Sequence, residues 1–502
     1  MILFPKYFGQ TRARLVQAGV AFVATALIAG CGSAYRPVVT PITPSSPAGQ
    51  PESFAAVVSA PSPTAPGIAT IIDYSGDTVM AVSPIGPGPS AFTVDEGGDA
   101  GYTINSDGTL TNFQISTNLQ AKNLLFSTLP TTAQPVNLFS PVAGLWIADL
   151  YGNNADDMTG YPESLSYAIP VATTPVTVVG PGTSAQRYYA ISQNFDAPSV
   201  NSPNGVACNI SPRNAPVNGE ATPIEVSSNT PDAPIAVGKC PVYAVSSADR
   251  NRFFVLNRGD DTITVINSQN NTLDTCTGLV NQNGQPVTCH PSLPLSQAAG
   301  LTGSNVPAIA GPVYAEFNST TNQLVVADYD GNSISVIDVS LDEYGNDSPT
   351  FGTTFTIPVG KNPASVTVLN DGSRAYTANQ TDGTVTIVNL TSHTVEKTLP
   401  VIGNPRTVVS TQNSTYGKVY VASPNSPYLT IIQTGGTNPD IVDTSVLVEG
   451  NIVDVRVSTQ DAVKGNSNTV SRVPGFGEPC YLPPSLLATD SSLTLKACQT
   501  LP

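Results

Sequence analysis

TANQTDGTVTIVNLTSHTVEKTLPVIGNP, residues Thr377 to Pro405, alternates apolar and polar residues on both sides of Asp382-Gly383. Alternation with a period of two indicates half-buried strands, and an Asp-Gly between two such runs is typical of a hairpin turn. The stretch ends in a second turn signal, Gly403-Asn404-Pro405. It therefore predicts consecutive short strands, either as one isolated hairpin or as one copy of a repeat.

The same arrangement recurs along the chain when it is counted from the closing proline. An apolar residue lies thirteen places after each of Pro241, Pro312 and Pro363, and an Asn or Asp lies sixteen places after it. These residues are Phe254, Val325 and Tyr376 at the first offset and Asn257, Asp328 and Asn379 at the second. Less regular copies start at Pro89, Pro135, Pro175 and Pro405. Seven starts of one unit are therefore visible.

Each unit contains three or four short alternating segments joined by turn residues, such as Asp330-Gly331-Asn332. A four-stranded unit of roughly 40 to 45 residues cannot bury its faces alone, and its repetition is typical of a β-propeller blade. A β-solenoid is the competing architecture, and it would have a shorter repeat. The sequence therefore predicts an all-β chain folded as a single β-propeller of four-stranded blades.

The two ends of the repeat region predict how the ring closes. Ile68–Gly86 has the pattern of two outer strands of a blade, and Asn451–Ser458 has the pattern of an inner strand. If both belong to one blade, no sheet edge is left open at the junction. This shared blade and the seven starts give eight blades. Seven blades are the alternative, because Pro135 and Pro175 are only 40 residues apart and start irregular units.

The segment PASVTVLNDGSRAYTANQTDGTVTIVNLTSHTVEKTLPVIGNP, which starts at Pro363, resembles the bacterial YVTN β-propeller repeat. Tyr376-Thr377-Ala378-Asn379 stands in place of Tyr-Val-Thr-Asn, and TVTIVN stands in place of a TVSVID strand. The resemblance covers Pro241–Gly450 and is weaker over Gly67–Lys239. It implies an exported protein related to the lactonase-like propellers, which commonly have seven blades.

Residues 1–30 have the layout of an export signal, with three basic residues before an apolar run from Ala18 to Ala29. The run is too short to span a bilayer as a helix. It ends in Leu27-Ile28-Ala29-Gly30-Cys31, which resembles the lipobox of bacterial lipoproteins and implies that Cys31 is lipidated. An ordinary secretory signal followed by a chance cysteine is the alternative.

Residues 31–66 are rich in Pro, Ser, Thr and Ala, which predicts a disordered tether and places the propeller over residues 67–464. A lipidated Cys31 would anchor the chain to a membrane of the bacterial cell envelope. The formal charge of the chain is −16, and loss of the three basic residues of segment 1–30 moves it to −19. Such a charge repels polyanions, so we expect no nucleic-acid partner. We also expect a monomer.

Six cysteines remain once Cys31 is assigned to lipid, and six cysteines allow 15 pairings. They fall into three pairs that are local in sequence, and short loops close with the smallest loss of entropy. We therefore expect disulfides in an oxidising, exported compartment, namely Cys208–Cys240, Cys276–Cys289 and Cys480–Cys498. A metal site is less favoured, because no Cys-x-x-Cys occurs and the chain has only two histidines.

Three segments rich in Pro, Asn and Gly interrupt or follow the repeats. Residues 197–239 and 276–311 predict long surface insertions, and residues 465–502 predict a C-terminal extension. Each segment contains or borders one of the expected disulfides. Such loops are where binding specificity would lie.

The chain contains no GxSxG, no HExxH and no phosphate-binding glycine loop. No catalytic residue, cofactor or metal ligand is therefore predicted. Arg406, Arg456 and Lys361 are predicted near the rim of the central channel as candidate binding residues. The sequence favours a binding or scaffold module for a protein, a peptide or an envelope component. The resemblance leaves a lactonase-like hydrolase, acting on a sugar lactone at the channel mouth, as the alternative.

Overall fold

A computed structural model describes residues 54–458, apart from residues 96 and 151 and the segments 116–120, 126–134, 142–143, 161–162, 181–186, 195–207, 209–211, 277–279 and 281–286. Segment 1–30, Cys31 and most of the tether lie outside the described residues. The extension 465–502, with Cys480 and Cys498, also lies outside them.

The described strands form eight sheets, and each sheet is one blade. Blade 1 contains β1 (Phe54–Ala60), β2 (Pro66–Asp73), β3 (Val79–Pro87) and β34 (Asn451–Val457). Blade 2 contains β4 (Pro89–Val94), β5 (Ala100–Asn105), β6 (Thr109–Gln114) and β7 (Ala121–Leu125). Blade 3 contains β8 (Pro135–Phe139), β9 (Leu145–Asp149), β10 (Asn154–Thr159) and β11 (Ser164–Pro170).

Blades 4 and 5 each have five strands, of which the last two are short. Blade 4 contains β12 (Pro175–Val179), β13 (Arg187–Ser192), β14 (Glu220–Glu225), β15 (Thr230–Pro231) and β16 (Ile235–Ala236). Blade 5 contains β17 (Pro241–Ser246), β18 (Arg252–Asn257), β19 (Thr262–Asn267), β20 (Thr272–Leu273) and β21 (Ser292–Pro294). A 3-10 helix, Pro212–Asn214, precedes β14.

The remaining three blades are regular. Blade 6 contains β22 (Pro312–Asn318), β23 (Gln323–Asp328), β24 (Ser333–Asp338) and β25 (Thr354–Pro358). Blade 7 contains β26 (Pro363–Val368), β27 (Arg374–Asn379), β28 (Thr384–Asn389) and β29 (Thr394–Pro400). Blade 8 contains β30 (Thr407–Ser410), β31 (Lys418–Ala422), β32 (Tyr428–Gln433) and β33 (Ile441–Leu447).

Neighbouring strands within each blade pair antiparallel, and the inner strands of consecutive blades contact one another. The contacts run from β34 through β4, β8, β12, β17, β22, β26 and β30 and return to β34. The chain is therefore an eight-bladed β-propeller, as the repeat count predicted, and the seven-bladed alternative is wrong. Six of the seven predicted starts are the first residues of inner strands, and the seventh, Pro405, lies two residues before β30.

Apolar residues face both sides of the middle strands, because each blade packs between two others. In blade 7, Tyr376 and Ala378 pack toward Val419 and Val421 of blade 8. Ala375, on the opposite face of the same strand, belongs to the core that continues through blade 6. Aromatic residues recur at one position of the repeat and are all buried, namely Tyr102, Tyr188, Phe254, Tyr376 and Tyr420.

Blade 1 joins strands from both ends of the described chain, which is consistent with the expected shared blade. Its order is β3, β2, β1 and β34, so three strands come from the N-terminal side. One of them, Phe54–Ala60, lies in the region assigned to the tether, and the propeller therefore includes this segment, which precedes the predicted boundary at residue 67. Every residue of this strand is buried. The sequence did not predict the strand, because its short apolar run lies within a segment of mainly polar composition.

The two predicted insertions also contain strands. Segment 197–239 includes β14, the third strand of blade 4, as well as β15 and β16. Segment 276–311 includes β21, which pairs with β19. Both segments are therefore partly blade rather than wholly surface loop. Short outer strands have few apolar residues and a weak alternation, so the sequence pattern does not separate them from loops.

Candidate functional site

Side chains of the inner strands converge at the centre of the ring. Tyr243 of β17 and Tyr314 of β22 stack with their ring centroids 4.7 Å apart. The carboxylate of Glu316, on the same strand as Tyr314, accepts a hydrogen bond from the backbone nitrogen of Val368 and another from the Gln412 side chain, both at 3.3 Å. Groups from four consecutive blades are therefore connected on this wall.

A positive charge on β34 lies within reach of the two tyrosines. The two terminal nitrogens of Arg456 lie 3.1 and 2.8 Å from the two carboxylate oxygens of Asp454. Burial raises the pKa of both Tyr243 and Tyr314, and the charge of Arg456 opposes that rise. The ionic groups of the channel wall thus compensate one another, which suits a packed polar core better than an open reaction centre.

The three residues that the sequence assigned to the channel rim differ in burial and in their partners. Arg456 is only 2% exposed and lies inside the channel wall. Arg406 is half-buried and donates to the backbone carbonyl of Val453 on β34 at 2.6 Å. Lys361 is exposed, and its backbone nitrogen donates to the carboxylate of Asp382 at 2.7 Å. Arg406 and Arg456 therefore meet at one strand, and a binding role for all three residues stays a prediction.

The Asn or Asp sixteen residues after each proline closes a hydrogen-bond network at the end of the second strand. The Asn379 amide donates to the hydroxyls of Thr384 at 3.0 Å and Thr386 at 2.8 Å. Asn257 donates in the same way to Thr262 and Thr264, and Asn105 to Thr109 and Thr111. The Asn at this repeat position therefore has a structural role. Blades with a different residue at this position can be compared with it.

A cleft of about 550 Å³ lies between blades 7 and 8. Arg374, at the start of β27, lies on its wall, where it pairs with Asp440 and donates to the backbone carbonyl of Thr434 at 2.8 Å. The Tyr376 hydroxyl donates to the same Asp440 carboxylate. The ammonium group of Lys397 donates to the Asp440 carbonyl at 2.8 Å. Hydrogen bonds and an ion pair around Asp440 therefore hold the wall of the cleft together.

Two further carboxylates line the cleft and are exposed to solvent, those of Asp371 and Glu396. Partial burial alone would raise the pKa of Asp371, but hydrogen bonds from Ser414 and Ser373 outweigh it and lower that pKa. The Asn389 amide donates to Glu396 at 2.7 Å. Both acids are thus held in fixed positions, and the opening of the cleft carries negative charge.

The sequence did not single out the residues of this cleft, because they lie in turns, at strand ends and on the outer strand β29, away from the buried positions of the repeat. One feature of the sequence does point to this region. A basic residue recurs at the start of the second strand, as Arg187, Arg252, Arg374 and Lys418. Three of these residues pair with an acid of the following blade, in the ion pairs Arg252–Asp347, Arg374–Asp440 and Lys418–Asp77.

Two of the expected disulfides are present. Cys208 bonds to Cys240 and Cys276 bonds to Cys289, with Cα–Cα distances of 5.4 and 5.6 Å. Next to the second bond, the buried Arg252 pairs with Asp274 at 3.2 Å and with Asp347 at 3.3 Å. Asp347 also accepts from His290 Nδ1 at 2.8 Å. These contacts fasten the segment after β20 to blades 5 and 6.

Asp274, Cys289 and Asp347 place three potential metal-ligand atoms within 4.8 Å of one another. They do not fit a metal site, because the Cys289 sulfur is in a disulfide and both carboxylates pair with Arg252. Burial, with a smaller contribution from Asp347, raises the pKa of Asp274 to about 6 despite the opposing charge of Arg252. The cluster is therefore a buried ion-pair network.

A search of the described residues for membrane-crossing segments found no helix with the length and apolar character that a bilayer requires.

The chain matches no protein-family model and no curated protein sequence. AztD from Citrobacter koseri has a similar structure, with a TM-score of 0.52 and 11% identity over 81% of this chain and 97% of AztD. The apo form of AztD has a TM-score of 0.51 and 12% identity, over 81% of this chain and 97% of AztD. The dihydro-heme d1 dehydrogenase NirN in complex with DHE has a TM-score of 0.49 and 13% identity, over 84% of this chain and 78% of NirN. At these identities the AztD likeness shows the fold alone, that of a bacterial β-propeller.

Proposed function

We propose that the protein is an extracytoplasmic binding module, and that the acidic cleft between blades 7 and 8 holds a positively charged segment of a protein partner. The observation that carries this proposal is the fixed pair of exposed carboxylates, Asp371 and Glu396, at a cleft of about 550 Å³. Carboxylates that are already held by hydrogen bonds lose little side-chain entropy on binding a cation. The negative charge of the whole chain, −16, attracts the same class of partner.

The arrangement of the channel favours binding over the lactonase-like alternative. A hydrolase of that kind needs polar groups at the channel mouth that reach the substrate. Arg456 is 2% exposed and paired with Asp454, and Glu316 is buried with two hydrogen-bond donors. Arg456 and Glu316 are therefore already bonded to other protein groups, whereas the exposed acids of the cleft face solvent.

The binding proposal can be tested with a fluorescein-labelled hexalysine peptide and fluorescence anisotropy. Asp371→Asn/Glu396→Gln should weaken binding roughly 5-fold or more, since each exposed ion pair contributes up to about 1 kcal/mol and 1.4 kcal/mol is tenfold in affinity. Added salt should weaken binding to the wild type as well. The matched control is Glu343→Gln/Glu449→Gln, which removes two exposed acids that do not line the cleft.

Equal affinity of the peptide for both double variants would mean that the charge of the whole molecule attracts it, and the cleft proposal would be wrong. Failure of the wild type to bind the peptide would overturn it too.

The YVTN character of the repeat and the lipid anchor are parts of the same proposal. The sequence Tyr376-Thr377-Ala378-Asn379 supports the first, and the export-signal layout that ends at Cys31 supports the second. A lipidated Cys31 would place the module in the bacterial cell envelope, at a membrane surface. Lipid anchoring generally needs more than one acyl chain, which a diacylated cysteine provides.

The anchor predicts that Cys31→Ser moves the protein from the membrane to the soluble fraction. The measurement is fractionation of the producing cells, followed by detection of the protein in each fraction. Cys480→Ser is the control, because it also removes one cysteine and leaves the lipobox intact. Membrane association of the Cys31→Ser protein at the wild-type level would contradict lipid anchoring.

A further inference from the structure

Blade 3 departs from the hydrogen-bond network that blades 2, 5 and 7 share at the end of the second strand. In blade 7 the network joins Asn379 to hydroxyl groups five and seven residues later. In blade 3 the corresponding residues are Asp149, Asn154 and Asp156. The strand register is the same, since Asn154 pairs with Asp149 and Asp156 with Ile147, as Thr384 pairs with Asn379 and Thr386 with Thr377.

This replacement leaves Asn154 as the only one of the three side chains with hydrogens to donate when both acids are ionised. In blade 7 an amide donates to two hydroxyls, whereas Asp149 and Asp156 are both acceptors when they are ionised. Asp156 is fully buried, and neither of its carboxylate oxygens has a hydrogen-bond partner. A buried ionised carboxylate without a partner is costly, so this group either holds a proton or binds a cation.

The backbone around Asp149 leaves room for its carboxylate. The nitrogen of Gly152 donates to Asp149 Oδ1 at 3.1 Å. A Cβ at position 152 would lie 1.9 Å from the other oxygen, so any side chain there would collide with the carboxylate. Asn154 is half-buried, whereas Asp149 and Asp156 are fully buried.

We propose that Asp149, Asn154 and Asp156 form a calcium site in blade 3. The three side chains offer only oxygen ligands of the kind that calcium prefers, and two of them supply the negative charge that balances the ion. With three side-chain ligands, we expect a dissociation constant of about 10⁻⁴ to 10⁻³ M, as in extracellular calcium modules.

The first experiment is thermal unfolding of the full chain after treatment with a chelator, with CaCl₂ added at constant ionic strength. Saturating calcium should raise the Tm of the wild type by roughly 2 to 5 °C. Asp149→Asn/Asp156→Thr, which restores the residue pair of blade 7, should fold without calcium and lose the shift. Glu343→Gln/Glu449→Gln removes the same formal charge elsewhere and should keep the shift.

The second measurement does not depend on any variant. Trp146, the only tryptophan of the chain, lies on β9 three residues before Asp149. Terbium bound at the site should luminesce when this tryptophan is excited, and calcium should displace it. Equal calcium shifts in all three proteins would mean diffuse binding to surface acids. Neither shift nor terbium signal in the wild type would mean that the pair holds a proton instead. Either result would overturn the proposal.

Discussion

The residue at the end of the second strand of a blade forms side-chain hydrogen bonds to the third strand. Asn379 and Asn257 donate to two hydroxyls each. In blade 6 the residue is Asp328, whose Oδ2 accepts from Ser335 at 2.7 Å and from Ser333 at 3.3 Å. Burial raises the pKa of Asp328 to about 8, although the two serines oppose the rise.

This raised pKa predicts a stability that falls as the pH rises. Between about pH 4 and pH 8 the folded protein keeps the Asp328 proton and the unfolded chain loses it, so folding is favoured at the acid end and weakened toward pH 8. Asp328→Asn keeps the size of the side chain and supplies the amide donors of the other blades. It should stabilise the protein by about 1 to 2 kcal/mol at pH 8, and by less at pH 5.

Denaturant unfolding at the two pH values measures this effect. Asn379→Asp is the mirror-image control, since it places a carboxylate in the same network of blade 7 and should destabilise the protein more at pH 8 than at pH 5. An Asp328→Asn protein with the same pH dependence as the wild type would show that Asp328 is ionised throughout this range.

At the scale of the strand, the repeat positions could be predicted because their physical cause is local. Period-two alternation places one apolar face on each neighbouring blade, and turns such as Thr381-Asp382-Gly383 need a left-handed residue, which Gly383 provides at φ +63°. The outer strands of blades 4 and 5 were not predicted, because two-residue strands such as Thr230–Pro231 carry no alternation.

The contacts between strands of different blades could be predicted only in part. The recurring basic residue at the start of the second strand is visible in the sequence, but its partner is not. Arg374 pairs with Asp440, 66 residues away, and Lys418 pairs with Asp77 at the far end of the chain. Such pairings depend on which blades are neighbours in the closed ring, so neither the cleft acids nor the carboxylate pair of blade 3 could be recognised as sites before the fold was known.

At the scale of the whole molecule, the ring is closed by contacts between distant segments. The backbone nitrogen of Ser458 donates to the Phe54 carbonyl at 3.0 Å, and the Phe54 nitrogen donates to the Ser458 hydroxyl at 2.8 Å. On the neighbouring side, Lys418 of blade 8 pairs with Asp77 of blade 1 at 2.7 Å. Because β1 lies between β34 and β2, it connects the C-terminal strand to the rest of the blade.

This closure predicts that two N-terminal deletions will differ sharply. Removal of residues 1–53 leaves every described strand intact and should change the Tm of the soluble protein by no more than about 2 °C. Removal of residues 1–66 deletes β1, leaves β34 and β2 with unpaired edges and exposes buried faces of the adjoining blades, so we expect a Tm lower by more than about 10 °C or aggregation. Thermal unfolding and size-exclusion chromatography of both proteins, expressed behind the same export signal, provide the comparison. If the shorter protein were as stable and monomeric as the longer one, Phe54–Ala60 would not be a structural part of the ring, and the boundary at residue 67 would be restored.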